Sequence, residues 1–197
     1  MASAVGLTRV RTVEPVSTVA EDALVTEAIA RPEAFGELYE LFMPRVYRYV
    51  RTRTASAEEA ADVTQVVFVK AMSSLSKYRA SRGPFAGWLF RIAHNAAVDS
   101  HRRRKPTLNW DDLPESIAES NIGSPEDLVL RRERLDHLRV LVSRLDTNKR
   151  ELLALRFAAG LTSREIAAVV GKGEGAVKKQ LFRITASLKE QYVENPD

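Results

Sequence analysis

Basic and aromatic side chains recur on one face of the last predicted helix of this 197-residue chain, at Lys178, Lys179, Phe182 and Arg183. Lysine and arginine bind phosphates and the edges of guanine, and an aromatic ring contacts the methyl group of thymine. A helix that carries these groups into the major groove would read duplex DNA. The alternative is a helical hairpin with a solvated basic face, and we favour DNA binding.

The residues around that helix have the pattern of a helix-turn-helix. Thr162 and Glu165 have capping-box spacing, which fixes the start of a short helix. The next three-residue turn, Gly171 to Gly173, has glycines that permit positive φ. The second helix then has an apolar face with steps of four, three and four, formed by Val177, Leu181, Ile184 and Leu188.

A second block of positive charge lies upstream, from Arg82 to Lys105, where six basic residues accompany the single acid Asp99. Within it, apolar residues recur on one helix face, and Arg91, Asn95 and Arg102 lie on or near another. Such a face suits a polyanion, because each neutralised phosphate releases counterions. The net charge of the whole chain is only +4 and identifies no partner by itself.

Enzyme chemistry finds little support in the sequence. The chain has no cysteine, which excludes disulfides, thiolate nucleophiles, zinc fingers and iron–sulfur clusters. His94 and His101 with Asp99 suggest a metal or nuclease site, but the histidines are two helical turns apart and no third ligand has metal spacing. We therefore expect no catalytic residue, no metal and no cofactor, and we predict that the chain is not an enzyme.

The elements that must position these residues are all predicted helices. Apolar residues recur at steps of three and four through most of the chain, and no segment alternates as a β-strand does. One such run extends from Phe35 to Val50, and Pro44 is expected to kink or break it. The sequence therefore predicts an all-α protein.

Charge and composition divide the chain into two small helical domains. Residues 1–22 lack periodicity and are predicted to be a disordered tail, followed by an N-terminal domain over 23–105. Residues 106–127 contain six acids and no base and are predicted to be a flexible acidic linker, after which 128–197 form the C-terminal domain. No stretch approaches the length of a membrane span, so we expect a cytoplasmic protein.

The chain from about Glu33 to Val193 resembles a bacterial RNA polymerase sigma factor of the extracytoplasmic-function (ECF) class, within the sigma-70 family. The strings that carry the resemblance occur in the family's order and are AFGELYELFMPRVYRYV, AEEAADVTQVVFVKA, GPFAGWLFRIAHNAAVDSHRRR and LDTNKRELLALRFAAGLTSREIAAVVGKGEGAVKKQLFRI. The resemblance implies that the N-terminal domain is sigma region 2 and the C-terminal domain is sigma region 4. It also implies that the protein directs promoter-specific initiation of transcription.

The resemblance implies a docking surface for core RNA polymerase, with contacts to the beta-prime clamp and the beta flap. The clamp contact is assigned by resemblance to Asp62, Val63, Gln65 and Phe68. Physically, such a surface needs a half-exposed apolar stripe bordered by carboxylate and amide groups. For Val63 and Phe68, an ordinary place in the core is the alternative.

The resemblance also assigns two surfaces for promoter DNA. The first would melt the minus-ten element and capture its non-template strand, and it comprises Arg82, Phe85, Phe90, Arg91, Asn95, Arg102 and Arg103, with the two phenylalanines as stacking candidates. The second would read the minus-thirty-five duplex through Lys178, Lys179, Phe182 and Arg183.

Three further expectations complete this interpretation. The acidic linker resembles the family segment that threads toward the RNA exit path, although a solvated tether explains its composition equally well. An anti-sigma factor that masks both domains is a further partner that the resemblance allows. The alternative function is a helix-turn-helix regulator that binds DNA without polymerase and normally dimerises.

Overall fold

The computed structural model describes residues 18–103 and 125–194, and all regular elements within these two ranges are helical, as predicted. The helices are α1 (Thr18–Ala30), α2 (Phe35–Arg51), α3 (Ala57–Ser74), α4 (Phe85–Arg103), α5 (Pro125–Ser143), α6 (Thr147–Leu153), α7 (Ser163–Val170) and α8 (Glu174–Glu194). We call α1–α4 the N-terminal module and α5–α8 the C-terminal module.

The first helix begins earlier than the sequence predicted. α1 starts at Thr18, inside the predicted tail, because Val25 and Ala28 are buried against the rest of the N-terminal module. Glu21 is also buried, and its carboxylate accepts a hydrogen bond of 3.2 Å from the backbone N–H of Ala86. The Glu21 side chain therefore gives an acceptor to a backbone N–H at the start of α4, where such groups have no helical partner.

The boundaries of the predicted tail and linker are only partly described. Residues 1–17 of the predicted tail and 106–124 of the predicted linker lie outside the described ranges. At the far end of that linker, α5 already begins at Pro125, three residues before the predicted start of the C-terminal domain. Proline suits a first helical position, because its missing N–H would have no partner there.

The expected break at Pro44 does not occur, because α2 continues through it from Phe35 to Arg51. Proline removes one backbone hydrogen bond from the helix. Pro44 lies on the exposed face, so the carbonyl that loses its partner can bind water, while Phe42 and Val46 remain buried on the opposite face. Burial of that apolar face outweighs the loss of one hydrogen bond.

The N-terminal module packs α2, α3 and α4 around a core of aromatic and aliphatic side chains. Phe85 makes edge contacts with Phe42 and Tyr78, at centroid distances of 5.4 and 5.5 Å. Trp88, half-buried, tilts against Phe85 at 5.4 Å, so it supports the same cluster. These contacts fix α4 along its first two turns.

The helix-turn-helix of the C-terminal module forms as predicted. Thr162 and Glu165 form the complete capping box, with the Thr162 N–H donating to the Glu165 carboxylate at 2.6 Å. Gly171 ends α7 in the left-handed region with φ of 69°, which a side chain would strain. The predicted apolar face of α8 is buried throughout and comprises Val177, Leu181, Ile184 and Leu188.

A π-helical turn, Ala154–Ala158, follows α6 directly. It contains an extra residue compared with an α-helical turn, which shifts the face that the chain presents. Leu155 and Ala158 are buried, whereas Phe157 is about half exposed. The carbonyl groups at the end of this turn face α2, and their partners come from the N-terminal module.

The two modules pack directly against each other, with α4 beside α7. A Cβ atom on Gly87 would lie only 2.9 Å from the Ala168 Cβ and 3.3 Å from the Glu165 carbonyl oxygen. Gly87 is therefore required for this close helix crossing. The contact brings both predicted DNA-binding elements into one compact arrangement.

Candidate functional site

The four residues predicted to read duplex DNA form one exposed surface on α8. Lys178, Lys179, Phe182 and Arg183 all face solvent, and we call them the α8 surface. Phe182 is 74% exposed, which is unusual for a phenylalanine that has only a packing role. The opposite face of α8 is anchored in the module core, so the helix presents these groups on a fixed support.

The charges of the α8 surface are only partly compensated. Lys178 forms an ion pair of 2.7 Å with Glu174, and this contact lowers the pKa of Glu174. Within the described ranges, Lys179 and Arg183 have no ion-pair partner. These two cations can therefore bind phosphate or base edges without first breaking an ion pair to any described residue.

Three of the residues predicted to capture a DNA strand are exposed on the N-terminal module. Arg91 and Asn95 lie one turn apart on α4, and Arg82 lies in the short 3-10 helix before it. Arg102 and Arg103 belong to the last turn of α4, and their side chains lie outside the described part of the chain. We call Arg82, Arg91 and Asn95 the α4 surface.

The two proposed stacking residues are not available on that surface. Phe85 is 1% exposed and Phe90 is fully buried. Neither ring can stack on a base unless α4 detaches from the core. Phe85 belongs to the aromatic cluster, and Phe90 contacts the ring of Tyr49 at 5.6 Å. Both phenylalanines have core positions because they lie on the face of α4 that points toward α2.

The predicted polymerase-docking residues on α3 divide between surface and core. Asp62 and Gln65 are exposed, whereas Val63 and Phe68 are 7% and 5% exposed. The ring of Phe68 makes an edge contact of 4.7 Å with the ring of Tyr39 on α2. Val63 and Phe68 therefore pack in the core beneath α3 and do not contribute to its exposed face.

The exposed apolar residues of α3 are not among the predicted polymerase-docking residues. Val66, Val69 and Met72 are 45%, 65% and 56% exposed, and they share a helix face with Asp62 and Gln65. We call these five residues the α3 surface. The spacing of the sequence could have indicated their exposure. The buried row of α3 is formed by Ala60, Thr64, Val67 and Ala71, and Val66, Val69 and Met72 lie on a different face of the helix.

A buried polar cluster joins the two modules at Glu151 of α6. The Tyr49 hydroxyl donates a hydrogen bond of 2.8 Å to the Glu151 carboxylate, and Arg53 forms an ion pair with the same carboxylate. The Nδ1 atom of His94 lies 3.2 Å from Glu151 Oε1 and 3.3 Å from the Tyr49 hydroxyl oxygen. Three groups of the N-terminal module thus converge on one carboxylate of the C-terminal module.

The electrostatics of this cluster follow from its burial. Desolvation raises the pKa of Tyr49 to about 12, so its hydroxyl remains a donor at neutral pH. Burial and the nearby Arg53 charge lower the pKa of His94, which favours the neutral ring. Arg53 also lies over the Tyr49 ring, 5.1 Å from its centroid.

Arginines of the N-terminal module also bind the carbonyl groups that end the π-helical turn. Arg45 Nε donates to the Ala159 carbonyl at 2.9 Å, and Arg48 Nε donates to the Ala158 carbonyl at 3.2 Å. On the other side of the contact, Arg91 donates to the Ala168 carbonyl at 2.8 Å. These cations complement helix C-terminal regions, where carbonyl groups lack partners and carry partial negative charge.

The described residues show no cluster of three histidine, aspartate or glutamate side chains that could hold a metal ion. His94 contributes to the inter-module cluster, and the side chain of His101 lies outside the described part of the chain. No helix in the described ranges combines the length and apolar character that a bilayer crossing requires.

Two protein-family models match the chain, one in each module. Residues 38–107 match Sigma-70 region 2, and residues 135–188 match Sigma-70 region 4. The first match contains the α3 surface together with Arg82, Arg91 and Asn95, and the second contains the α8 surface.

Curated proteins match over most of the chain. The ECF RNA polymerase sigma factor SigD of Mycobacterium tuberculosis is 33% identical over 179 residues, covering 87% of this chain and 84% of that protein. The ECF RNA polymerase sigma factor BldN of Streptomyces coelicolor is 35% identical over 161 residues, covering 79% of this chain and 59% of that protein.

Solved structures support the same arrangement of helices. CnrH, in complex with the cytosolic domain of CnrY, has a TM-score of 0.63 and 26% identity, covering 90% of this chain and 99% of that chain. RpoE of Bartonella quintana, in complex with the anti-sigma factor NepR, has a TM-score of 0.56 and 19% identity, covering 83% and 98%, and therefore indicates only a shared fold.

Proposed function

The chain belongs to the ECF class of the sigma-70 family, and from this membership we propose that it binds core RNA polymerase and directs initiation at promoters that it recognises at two elements. The observation that carries the proposal is the presence, on one chain, of three separate exposed surfaces within the matched regions. Each surface has the chemistry that one of three tasks requires, and these tasks are polymerase docking, capture of the minus-ten strand and recognition of the minus-thirty-five duplex.

The α3 surface is the proposed contact with the polymerase clamp. Its exposed valines and methionine would lose water on binding, and Asp62 and Gln65 border them with polar groups. This combination of an apolar centre and a polar rim is typical of protein–protein interfaces. Val63 and Phe68 hold the helix in place but do not touch the partner in this proposal.

The α4 surface is the proposed contact with the melted minus-ten strand. Arg82 and Arg91 supply cations for the strand backbone, and Asn95 can form hydrogen bonds with an unpaired base. Because Phe85 and Phe90 are buried, capture of a base in this proposal depends on polar contacts. Arg102 and Arg103 remain predicted contacts of this strand.

The α8 surface is the proposed contact with the minus-thirty-five duplex. Lys179 and Arg183 have no ion-pair partner among the described residues, and Phe182 offers an exposed ring for a thymine methyl group. The capping box and Gly171 fix how α7 and α8 cross, and this geometry sets the angle at which α8 enters the major groove.

Two further partners follow from family membership. We expect the C-terminal module to contact the polymerase beta flap. The structurally similar CnrH and RpoE are bound to CnrY and to an anti-sigma factor, respectively. A regulator of that kind is therefore a proposed partner of this chain also.

The proposal is tested by run-off transcription with purified core RNA polymerase on genomic fragments, including the region upstream of the chain's own gene. We expect transcripts with defined start sites only when the protein is added, and co-elution with core polymerase in gel filtration. A protein that elutes as a free dimer and gives no transcripts would instead support the alternative, a DNA-binding regulator that acts without polymerase.

A further inference from the structure

We propose that Glu174 reads a cytosine in the minus-thirty-five duplex, by accepting a hydrogen bond from the exocyclic amine of that base in the major groove. Glu174 is the first residue of α8 and lies outside the four residues of the α8 surface. This inference rests on the proposed function, because it adds one acidic, base-selecting residue to the helix that is proposed to enter the groove.

The first turn of α8 offers one side-chain functional group to a partner. Its exposed residues are Glu174, Gly175 and Ala176, whereas Val177 is fully buried. Glycine and alanine have no side-chain group that can bond to a base edge. In a helix-turn-helix, the N-terminal residues of the second helix contact the base edges. Within this turn, which the structure describes in full, the Glu174 carboxylate is therefore the side-chain group that can bond to a base.

Glycines on both sides of Glu174 leave the start of α8 open. Apart from its neighbours along the chain and the helix backbone, a Cβ atom on Gly173 or Gly175 would meet no described atom within 4 Å. Neither glycine has the positive φ that a side chain would strain. Gly175 also destabilises the helix relative to alanine. Because glycine lets a ligand approach the backbone closely, we attribute both positions to close approach of the DNA.

The Glu174 carboxylate lies along the outer face of α8. At the start of α6, by contrast, the Asp146 carboxylate caps the helix by accepting a hydrogen bond of 2.9 Å from the Lys149 N–H. The Glu174 carboxylate instead pairs with the exposed Lys178 ammonium, one turn further along α8, at 2.7 Å. The Glu174 side chain is 43% exposed. Its carboxylate is therefore held on the face that would meet the groove.

Neighbouring cations allow this carboxylate to approach DNA. The contact with Lys178, and to a smaller extent the charge of Arg164 on α7, lower the pKa of Glu174. The group therefore stays ionised at neutral pH and acts as an acceptor. Lys178 compensates its charge, and Lys179 and Arg183 attract the phosphates of the duplex. The helix thus keeps a positive face and presents one acceptor at its start.

An ionised carboxylate selects among the bases by the direction of the hydrogen bond. In the major groove, cytosine presents its N4 amine as a donor, and acidic side chains accept from it. Thymine presents O4, and guanine presents O6 and N7, and all three atoms are acceptors that repel a carboxylate. Adenine has a donor at N6, but the acceptor N7 lies beside it. Cytosine is therefore the base that Glu174 matches, and repulsion adds discrimination against the others.

Selection of duplexes by the full-length chain tests this assignment. The tagged chain, mixed with core RNA polymerase, captures DNA from a library of duplexes with a randomised segment, and the retained duplexes are sequenced. At one position of the selected sequence, the wild type should prefer cytosine over thymine by on the order of tenfold. Glu174→Gln adds a donor beside the acceptor, which suits N6 and N7 of adenine. The preference at that position should therefore change from cytosine to adenine.

Two further variants separate base reading from a role in the helix alone. Glu174→Ala should remove the preference at that position and keep the preferences at the other positions. Glu190→Gln is the matched control, because it makes the same chemical change at an exposed position near the end of α8 and should keep the cytosine. Circular dichroism checks that every variant keeps its helices. If Glu174→Gln lowered the retention of all duplexes equally and kept the cytosine, the assignment would be overturned.

The selected sequences also distinguish failure of this assignment from failure of the proposed function. A wild type that selects a defined sequence, which Glu174→Gln leaves unchanged, would refute the role of Glu174 and still support α8 as the DNA-reading helix. A wild type that retains duplexes without any base preference would refute both. Run-off transcription from a template with the selected sequence then tests initiation. Absence of a transcript would refute the proposed function, whereas the selected base would still decide whether Glu174 reads cytosine.

Discussion

The hydroxyl group of Tyr49 donates a hydrogen bond of 2.8 Å to the carboxylate of Glu151, although the two residues are 102 positions apart and belong to different modules. The phenol is fully buried, and its pKa is raised to about 12. It therefore remains a donor throughout the physiological range. We therefore look for the pH dependence of this contact in a different group that lies next to the carboxylate.

His94 is that group, and we predict that acid weakens the contact between the modules. Burial and Arg53 lower the pKa of His94 while the modules are in contact, whereas an exposed histidine titrates near 6.5. Between these values a chain whose modules have separated binds more protons, so lowering the pH through this range favours separation of the modules. The charged or titratable groups facing His94 are Tyr49 and Arg53 of the N-terminal module and Glu151 of α6.

The measurement is the distance, by double electron–electron resonance, between spin labels attached to Ser76→Cys and Ala186→Cys, two exposed positions in a chain without native cysteine, at about pH 7.5 and about pH 5.5. The wild type should shift toward the longer distance in acid, and His94→Gln should shift much less. An equal shift in both proteins would assign the effect to other groups.

Glu21 is expected to destabilise the fold as the pH rises. Burial, and next the negative charge of Glu165, raise the pKa of Glu21 above its ordinary value of 4.5. The folded chain therefore favours the protonated acid, and this contribution to stability is lost as the pH rises above 4.5 through the raised pKa. Glu21→Gln keeps an acceptor for the Ala86 N–H and removes the charge.

Urea unfolding of Glu21→Gln and the wild type at several pH values checks this prediction. The free energy of unfolding of the variant, relative to that of the wild type, should increase as the pH rises from 4.5 to neutrality. Glu190→Gln, exposed on α8, provides the control. A constant difference across this range would show that Glu21 has the same pKa in both states.

Val69→Asp should weaken binding to core polymerase. Val69 is 65% exposed at the centre of the α3 surface, so an aspartate there leaves the fold intact and places a charge in the proposed interface. Lost apolar burial and desolvation of the new charge should reduce affinity by at least about tenfold. Ile29→Asp is the control, since Ile29 is 44% exposed on α1 outside that surface. Equal affinities for the two variants would contradict the proposed surface.

Arg183→Ala should weaken binding to duplex promoter DNA by about 1–3 kcal/mol and relax the preference at one base position, if the guanidinium contacts a base. Arg183 is exposed on the α8 surface without an ion-pair partner among the described residues. Lys189→Ala removes an exposed cation from a later turn of the same helix and should have a smaller effect. Titration by fluorescence anisotropy with matched and mutated duplexes measures the affinity and the base preference. An unchanged base preference would show that Arg183 does not read a base.

Asn95→Ala should separate duplex binding from strand opening. Asn95 is exposed on α4 and distant in sequence from the α8 surface, so binding to a duplex with the minus-thirty-five element should be preserved. Fewer open complexes should form, because one hydrogen-bonding group for an unpaired base is lost. Permanganate reactivity of promoter thymines, measured with core polymerase, reports opening, and wild-type reactivity would count against a role for Asn95.

The local elements of this fold could be predicted from the sequence because their signals are local. The capping box at Thr162, the left-handed Gly171 and the buried row from Val177 to Leu188 are determined by neighbouring residues. The continuous α2 was not predicted, because tolerance of Pro44 depends on which side of the helix faces water.

The site was harder to predict because surface and core use the same residue types. Phe85 and Phe90 have the aromatic rings that base stacking would need, but only the three-dimensional structure shows that α2 covers them. Val66, Val69 and Met72 are exposed, although their residue types are common in protein cores. The cluster at Glu151 joins residues with no local relationship, so no spacing rule could indicate it.

The π-helical turn Ala154–Ala158 makes the C-terminal module sensitive to the number of residues as well as to their identity. Deleting one residue there would restore ordinary winding and rotate the following chain by about 100° around the helix axis. The carbonyl groups of Ala158 and Ala159 would then turn away from Arg48 and Arg45. Relatives that differ in length at this turn should therefore orient their two halves differently, even where every side chain at the contact is retained.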